Sequence, residues 1–96
     1  MRRLITDIDY GKESFQNSYR SLSNDIKECF KEIHKLLKHD PQPKKLRLEK
    51  LEGYRNPNIY TIHITPNHSH KLSFEIVGTT AILRRIGTHK EIDRAP

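Results

Sequence analysis

The sequence predicts an α+β domain, with an N-terminal strand and a helical hairpin packed on a small antiparallel sheet. Three observations predict this class. Apolar residues recur at three-four spacing between Phe15 and Leu37, they alternate from Leu46 onward, and turn residues separate the alternating runs. Helices confined to one stretch of chain and strands to another form two layers, with one sheet face covered and the other open.

The elements follow in order. Leu4 to Tyr10 partly alternates, with Leu4, Thr6, Ile8 and Tyr10 on one face, so it reads as a first strand that Gly11 ends. A helix then carries Phe15, Tyr19 and Leu22 on one stripe. Ser23-Asn24-Asp25 interrupts it and offers a fresh N-cap. Ile26, Cys29, Phe30, Ile33, Leu36 and Leu37 form the buried face of a second helix, which Asp40-Pro41 stops because the residue before proline avoids helical angles. The two helices form an antiparallel hairpin or one kinked helix.

Pro41 to Lys45 is a stiff connector, and Leu46 to Leu51 alternates as a strand ended by Glu52-Gly53. Ile59 to Thr65 alternates again, placing Tyr60, Ile62 and Ile64 in the core and turning Thr61 and His63 the other way. Pro66 to Ser69 is a hairpin loop, and His70 to Val77 returns with Leu72, Phe74 and Ile76 inward. Gly78-Thr79 is a two-residue turn into the last strand.

Composition bounds the function. The 96 residues make one domain, 1–96, with 33% hydrophobic and 31% charged residues. A net charge of +6 fits a polyanionic partner, nucleic acid or an acidic protein segment, against the competing reading of a solvated basic surface. The single Cys29 allows no internal disulfide and reads as a core thiol. The N-terminus lacks the apolar run of a signal peptide, and no segment approaches the ~20 apolar residues of a membrane span. A cytoplasmic protein with no membrane partner is expected.

The run Ala81-Ile82-Leu83-Arg84-Arg85-Ile86-Gly87-Thr88-His89 carries the chemistry. A strand holds its side chains rigidly, arginine makes paired charge-assisted bonds to phosphate oxygens, and histidine exchanges protons near neutral pH. Gly87 is expected to supply backbone angles that turn His89 back over the sheet. Together these residues point to a place where a phosphodiester is held and cut.

With these elements in this order the chain resembles the RelE/ParE superfamily of toxin–antitoxin toxins over nearly its whole length. The resemblance rests on Phe15, Ser18-Tyr19 and Leu22, on Leu51-Glu52-Gly53, on the hairpin, and above all on Leu83 to Ile92, similar to an "L-x-R-x-G-[ST]-H" ending. Within the superfamily it is most similar to the YafQ-like messenger-RNA interferases. The resemblance implies a ribosome-associated endoribonuclease that uses no metal or other cofactor and is held inactive by a cognate antitoxin. It implies catalytic roles for His63, His89, Arg85 and Lys71. Two positions depart from the branch: the hairpin acid appears as Asn67, and a further histidine appears as Glu49. An amide exchanges no protons, so the acid's role is either lost or taken by His68, His70 or Glu75.

Each of these residues has a competing reading. The competing reading of His63 is an idle strand residue, that of His89 a C-terminal loop residue, and that of Lys71 an idle surface lysine; the site role is the one taken for each. Alternation puts Arg84 opposite Arg85, with a bulge near Gly87 able to change that; Arg84 is assigned to RNA contact. Lys44, Lys45, Arg47 and Lys50 track an RNA backbone or simply solvate an edge strand. His68 and His70 belong to an exposed turn touching RNA, and without a cysteine pair they make no zinc site with His63. Two alternatives stand beside the nuclease: a non-enzymatic ParE-like inhibitor of DNA gyrase, and a decayed toxin that keeps only antitoxin or nucleic-acid binding.

Overall fold

A computed structural model describes residues 4–39, 42–55 and 58–96. The elements are β1 (Asp7–Asp9), α1 (Glu13–Arg20), α2 (Asn24–Ile33), β2 (Glu49–Lys50), β3 (Ile59–His63), β4 (His70–Val77), β5 (Thr80–Thr88) and α3 (His89–Arg94). They build one five-stranded mixed sheet in the order β1-β5-β4-β3-β2. The strands β2 to β5 form the expected antiparallel meander, and β1 joins β5 in parallel. The predicted α+β class holds.

The core lies between the sheet and the helical hairpin. Tyr60, Ile62, Leu72, Phe74, Leu83 and Ile86 are buried from the sheet side, against Phe15 and Phe30 from the helices. Phe30 is the centre of the helical side, with its ring 5.6 Å from Phe15, 5.3 Å from Tyr19 and 4.3 Å from His34. His34 is a satisfied core histidine. Its Nδ1–H donates to the Phe30 carbonyl at 2.7 Å, and its Nε2 accepts from the Tyr10 hydroxyl at 2.7 Å. Ser23 caps α2 by accepting from the Ile26 N–H, as the sequence predicts.

Beyond Ile82 the edge of β5 loses its β1 partner, and α1 takes over. Ser14 Oγ donates to the Arg84 carbonyl at 2.8 Å, and the Ile86 N–H donates to Ser18 Oγ at 3.1 Å. Two serines four apart on one helix face thereby satisfy the backbone groups of an exposed edge.

Four expectations need correction. The first strand spans only Asp7–Asp9, and within the predicted Leu4–Tyr10 run Ile5 is buried while Leu4 and Tyr10 are exposed. The second helix tightens into a 3₁₀ turn over His34–Lys38; Asp40 and Pro41, invoked as its stop, lie outside the described residues.

Leu46–Leu51 is not a full strand. Lys44–Leu46 is a 3₁₀ turn and Arg47 is left-handed at φ 50, leaving only Glu49–Lys50 to pair with β3. Leu46 is fully buried there, and burying a leucine is worth about 1.5–3 kcal/mol. That offsets the roughly 1–2 kcal/mol cost of a left-handed non-glycine residue. Finally, the sheet face away from α1 and α2 is not simply open. The helix α3, absent from the sequence reading, covers part of it and buries Ile92.

Candidate active site

The site is built on one row across the sheet. His63 ends β3 and pairs with Lys71 on β4, which pairs with Gly87 on β5. All three positions face away from the helical hairpin. Gly87 matters for space: it keeps ordinary backbone angles, and a Cβ there would lie 2.9 Å from Glu91 Oε1. The missing side chain leaves room for the Glu91 carboxylate to reach back toward Thr88. Thr88 and Glu91 close a reciprocal capping box that starts α3 at His89. The His89 N–H donates to the Ser69 carbonyl at 2.9 Å, which pins the helix start to the β3–β4 loop.

This anchoring brings three imidazoles together. The His63 and His89 rings stack with centroids 5.7 Å apart, and His68 meets the His63 ring edge-on at 4.5 Å. Both His63 ring nitrogens are buried with no hydrogen-bond partner among the described residues. Burial, then the charges of the neighbouring basic side chains His68, Lys71, His89 and Arg47 when they carry them, hold its pKa below the ordinary histidine value. His63 is therefore neutral at neutral pH, with a free ring nitrogen.

Beneath the rings sits Asp93, one turn after His89. Its Oδ2 lies 2.8 Å from His89 Nδ1 and its Oδ1 accepts from Lys71 Nζ at 2.9 Å. The Lys71 bond, more than any other contact, holds the Asp93 carboxyl below the usual carboxylate range. Lys71 itself is only 4% exposed, which corrects the expectation of a surface lysine. A buried ammonium needs a counter-charge, and Asp93 supplies it.

Asp93 is the residue that sequence reasoning missed. Glu75 is engaged elsewhere, since Arg84 Nη1 binds its Oε2 at 3.1 Å. Asn67 accepts the Ser69 N–H at 3.1 Å and so shapes its own loop. The signal for Asp93 was nonetheless in the chain. Thr88-His89-Lys90-Glu91 has the capping-box spacing that announces a helix, and on a helix residue 93 stands over residue 89.

The other predicted residues disperse. His70 faces the helical side of the sheet, half-buried, with Nδ1 2.7 Å from Ser69 Oγ, and belongs to no exposed turn. The bulge lies at Arg84, three residues before Gly87. Ser73 pairs with Arg85 and Phe74 with Leu83, so Arg84 is the extra residue. Arg84 and Arg85 consequently border one cavity instead of opposing each other. Arg85 is exposed, with its backbone held both ways by Ser73 Oγ, one pleat repeat (roughly 7 Å) from the Lys71–Gly87 row. Lys44, Lys45 and Arg47 border a groove that contains His63, whereas Lys50 lines a separate cavity beside Tyr54 and Arg55. No three His, Cys, Asp or Glu side chains converge as metal ligands among the described residues. No helix among them is long and apolar enough to cross a membrane.

Solved structures share this arrangement of helices and strands. The RelE toxin in the RelB–RelE complex of Methanococcus jannaschii superposes with a TM-score of 0.66 at 24% identity, covering 95% of this chain and 100% of that one. The chain has a RelE-like fold. In the archaeal RelE–RelB complex of Pyrococcus horikoshii the values are 0.61 and 16%, covering 92% and 96%. A copper-bound mutant toxin from Helicobacter pylori superposes at 0.59 with 24% identity, covering 96% and 99%. By sequence, no family model and no curated protein matches the chain.

Proposed function

We propose that this RelE-like protein is the toxin of a type II toxin–antitoxin pair, and that it cleaves messenger RNA on the ribosome without a metal ion, as YafQ-like interferases do. One observation carries the reading: two imidazoles, His63 and His89, lie within 5.7 Å, one neutral and partner-free, the other held by a carboxylate.

RNA cleavage of this kind needs a base for the ribose 2′-hydroxyl, an acid for the leaving 5′-oxygen and cations around the phosphorane. His63 takes the 2′-hydroxyl proton, the 2′-oxygen attacks phosphorus, and a 2′,3′-cyclic phosphate forms as the P–O5′ bond breaks. His89 delivers a proton from Nε2 to the departing oxygen, its ring held by Asp93 through Nδ1. Acid–base assistance is worth about 10²–10⁴-fold, and oriented charge adds to it. Arg85 supplies that charge from the neighbouring pleat. Lys71 acts at one remove, by holding Asp93.

The exposed His68 ring covers His63 and swings aside when RNA enters. Lys44, Lys45, Arg47 and Lys50 hold flanking phosphates, with Arg84 neutralised by Glu75 and His70 outside the contact. The partners are the ribosome with its mRNA and an acidic antitoxin, in the cytoplasm. The two archaeal relatives were crystallised with RelB antitoxins, and the +6 charge suits such a partner.

The test is primer extension on a reporter mRNA in a reconstituted translation reaction, with wild type and His89→Ala in parallel. Discrete cuts that need both ribosomes and His89 are expected. A folded wild type that makes no cuts overturns the nuclease and leaves gyrase inhibition or simple binding.

A further inference from the structure

The site opens at one side into a groove of about 650 Å³ between α2 and the β3–β4 hairpin. Its apolar lining comes from both sides, Cys29 and Ile33 on α2 and Ile64 and Pro66 on the hairpin, and the rim carries Lys44, Lys45 and Arg47. Among the described residues, Arg47 at φ 50 and His68 at φ 60 are the non-glycine residues in left-handed conformation. Both line this groove, as does His63. Backbone strain of this kind persists where surrounding structure enforces it, and it gathers at ligand sites. The groove has one acid, Glu32, which makes no hydrogen bond or ion pair with any described residue.

An apolar lining, a basic rim and a lone carboxylate meet the chemistry of one nucleotide: a flat base, its phosphate, and donors on the base edge. A carboxylate only accepts, through two oxygens side by side. Guanine alone among the four bases presents two adjacent donors, N1–H and the N2 amine, on its Watson–Crick edge. Adenine and cytosine each pair a donor with an acceptor there, and uracil sets its one N–H between two carbonyls. Guanine also offers O6 and N7 as acceptors for the rim cations.

We propose that this groove binds the base of the nucleotide beside the scissile phosphate and selects guanine through Glu32, with Arg47 holding that nucleotide's phosphate. The assignment rests on the RNA-cleaving reading of the same site. It adds a base preference that the histidine pair does not supply.

The test is independent of cleavage. The four 3′-nucleoside monophosphates, which contain no bond for this chemistry to break, are titrated into ¹⁵N-labelled full-length protein at pH 7. Expected is a Kd for 3′-GMP at least about tenfold below the other three, the scale of one bidentate base contact, with amide shifts at Glu32, Ile33 and Ile64. Glu32→Gln, at an exposed position, removes the preference while keeping weak binding of all four. Arg47→Ala weakens all four alike. Equal affinities, shifts away from the groove, or a preference that survives Glu32→Gln overturn the proposal. Guanine-selective binding by a protein that cuts no mRNA refutes the nuclease and leaves the groove standing. Cutting without base preference does the reverse.

Discussion

Asp93→Asn tests whether Asp93 is the counter-charge that makes a buried Lys71 tolerable. The Lys71 side chain is 5% exposed and that of Asp93 47%, with 2.9 Å between charged atoms. Removing one partner of a fully buried pair costs about 3–5 kcal/mol, whereas exposed pairs are worth about 0–1 kcal/mol. One buried and one half-wet partner put the loss between these limits, at about 2 kcal/mol. For a domain of this size that lowers Tm by roughly 10 °C.

The assay is urea denaturation at pH 7, run as a double-mutant cycle with Lys71→Met. In the Asp93→Asn background Lys71→Met is expected to cost far less than in wild type, because the orphaned charge leaves with it. The pH dependence has a definite sign. The folded Asp93 carboxyl titrates below its unfolded value near 3.9. Its contribution is therefore complete above that value and disappears as pH falls through the folded pKa. Wild type and Asp93→Asn should converge in stability in that acid range. A loss under about 0.5 kcal/mol at pH 7, or no coupling in the cycle, refutes the argument.

Three further predictions follow from the geometry. Ser18→Ala leaves the Ile86 N–H without its acceptor and should cost about 1–2 kcal/mol in urea melts; hydrogen exchange at Ile86 should accelerate, and unchanged protection would contradict the edge-cap assignment. Gly87→Ala drives Glu91 out of the capping box, costing about 1 kcal/mol and displacing His89; NMR contacts between the His63 and His89 rings should weaken, and their persistence would show that the close approach is not needed. Burial lowers the pKa of His63 and His34, so the unfolded chain takes up protons first as pH falls below about 6.5. Stability is then complete above about pH 7 and declines toward the folded pKa values. His63→Gln should flatten that decline, and an identical pH profile would deny His63 its buried, neutral state.

Much of the fold is legible because periodicity is a local property. The stripe from Phe15 to Leu37 and the alternation through Ile59 to Ile76 needed no tertiary information, and each packed as its pattern required. Leu46 to Leu51 misled because its alternation is genuine but the burial of Leu46 against the sheet outweighs strand geometry, an outcome no local pattern records. The bulge at Arg84 is equally invisible, since it depends on which β4 residue each β5 residue meets.

At the candidate site, the chain by itself determined the chemical types: one imidazole on a strand and another just past the last strand's glycine, with a guanidinium four residues before the second. Residue identity and spacing suffice for that, because side-chain chemistry travels with the residue. Only the tertiary structure decided which of these groups meet. It set His63 against His89, sank Lys71 beneath α3, and turned an unremarked Asp93 into the acid between them. The His63–His89 and Lys71–Asp93 pairings join residues 26 and 22 positions apart, and distance in space between such residues is fixed by register, by the capping box and Ser69 contact that seat α3, and by burial.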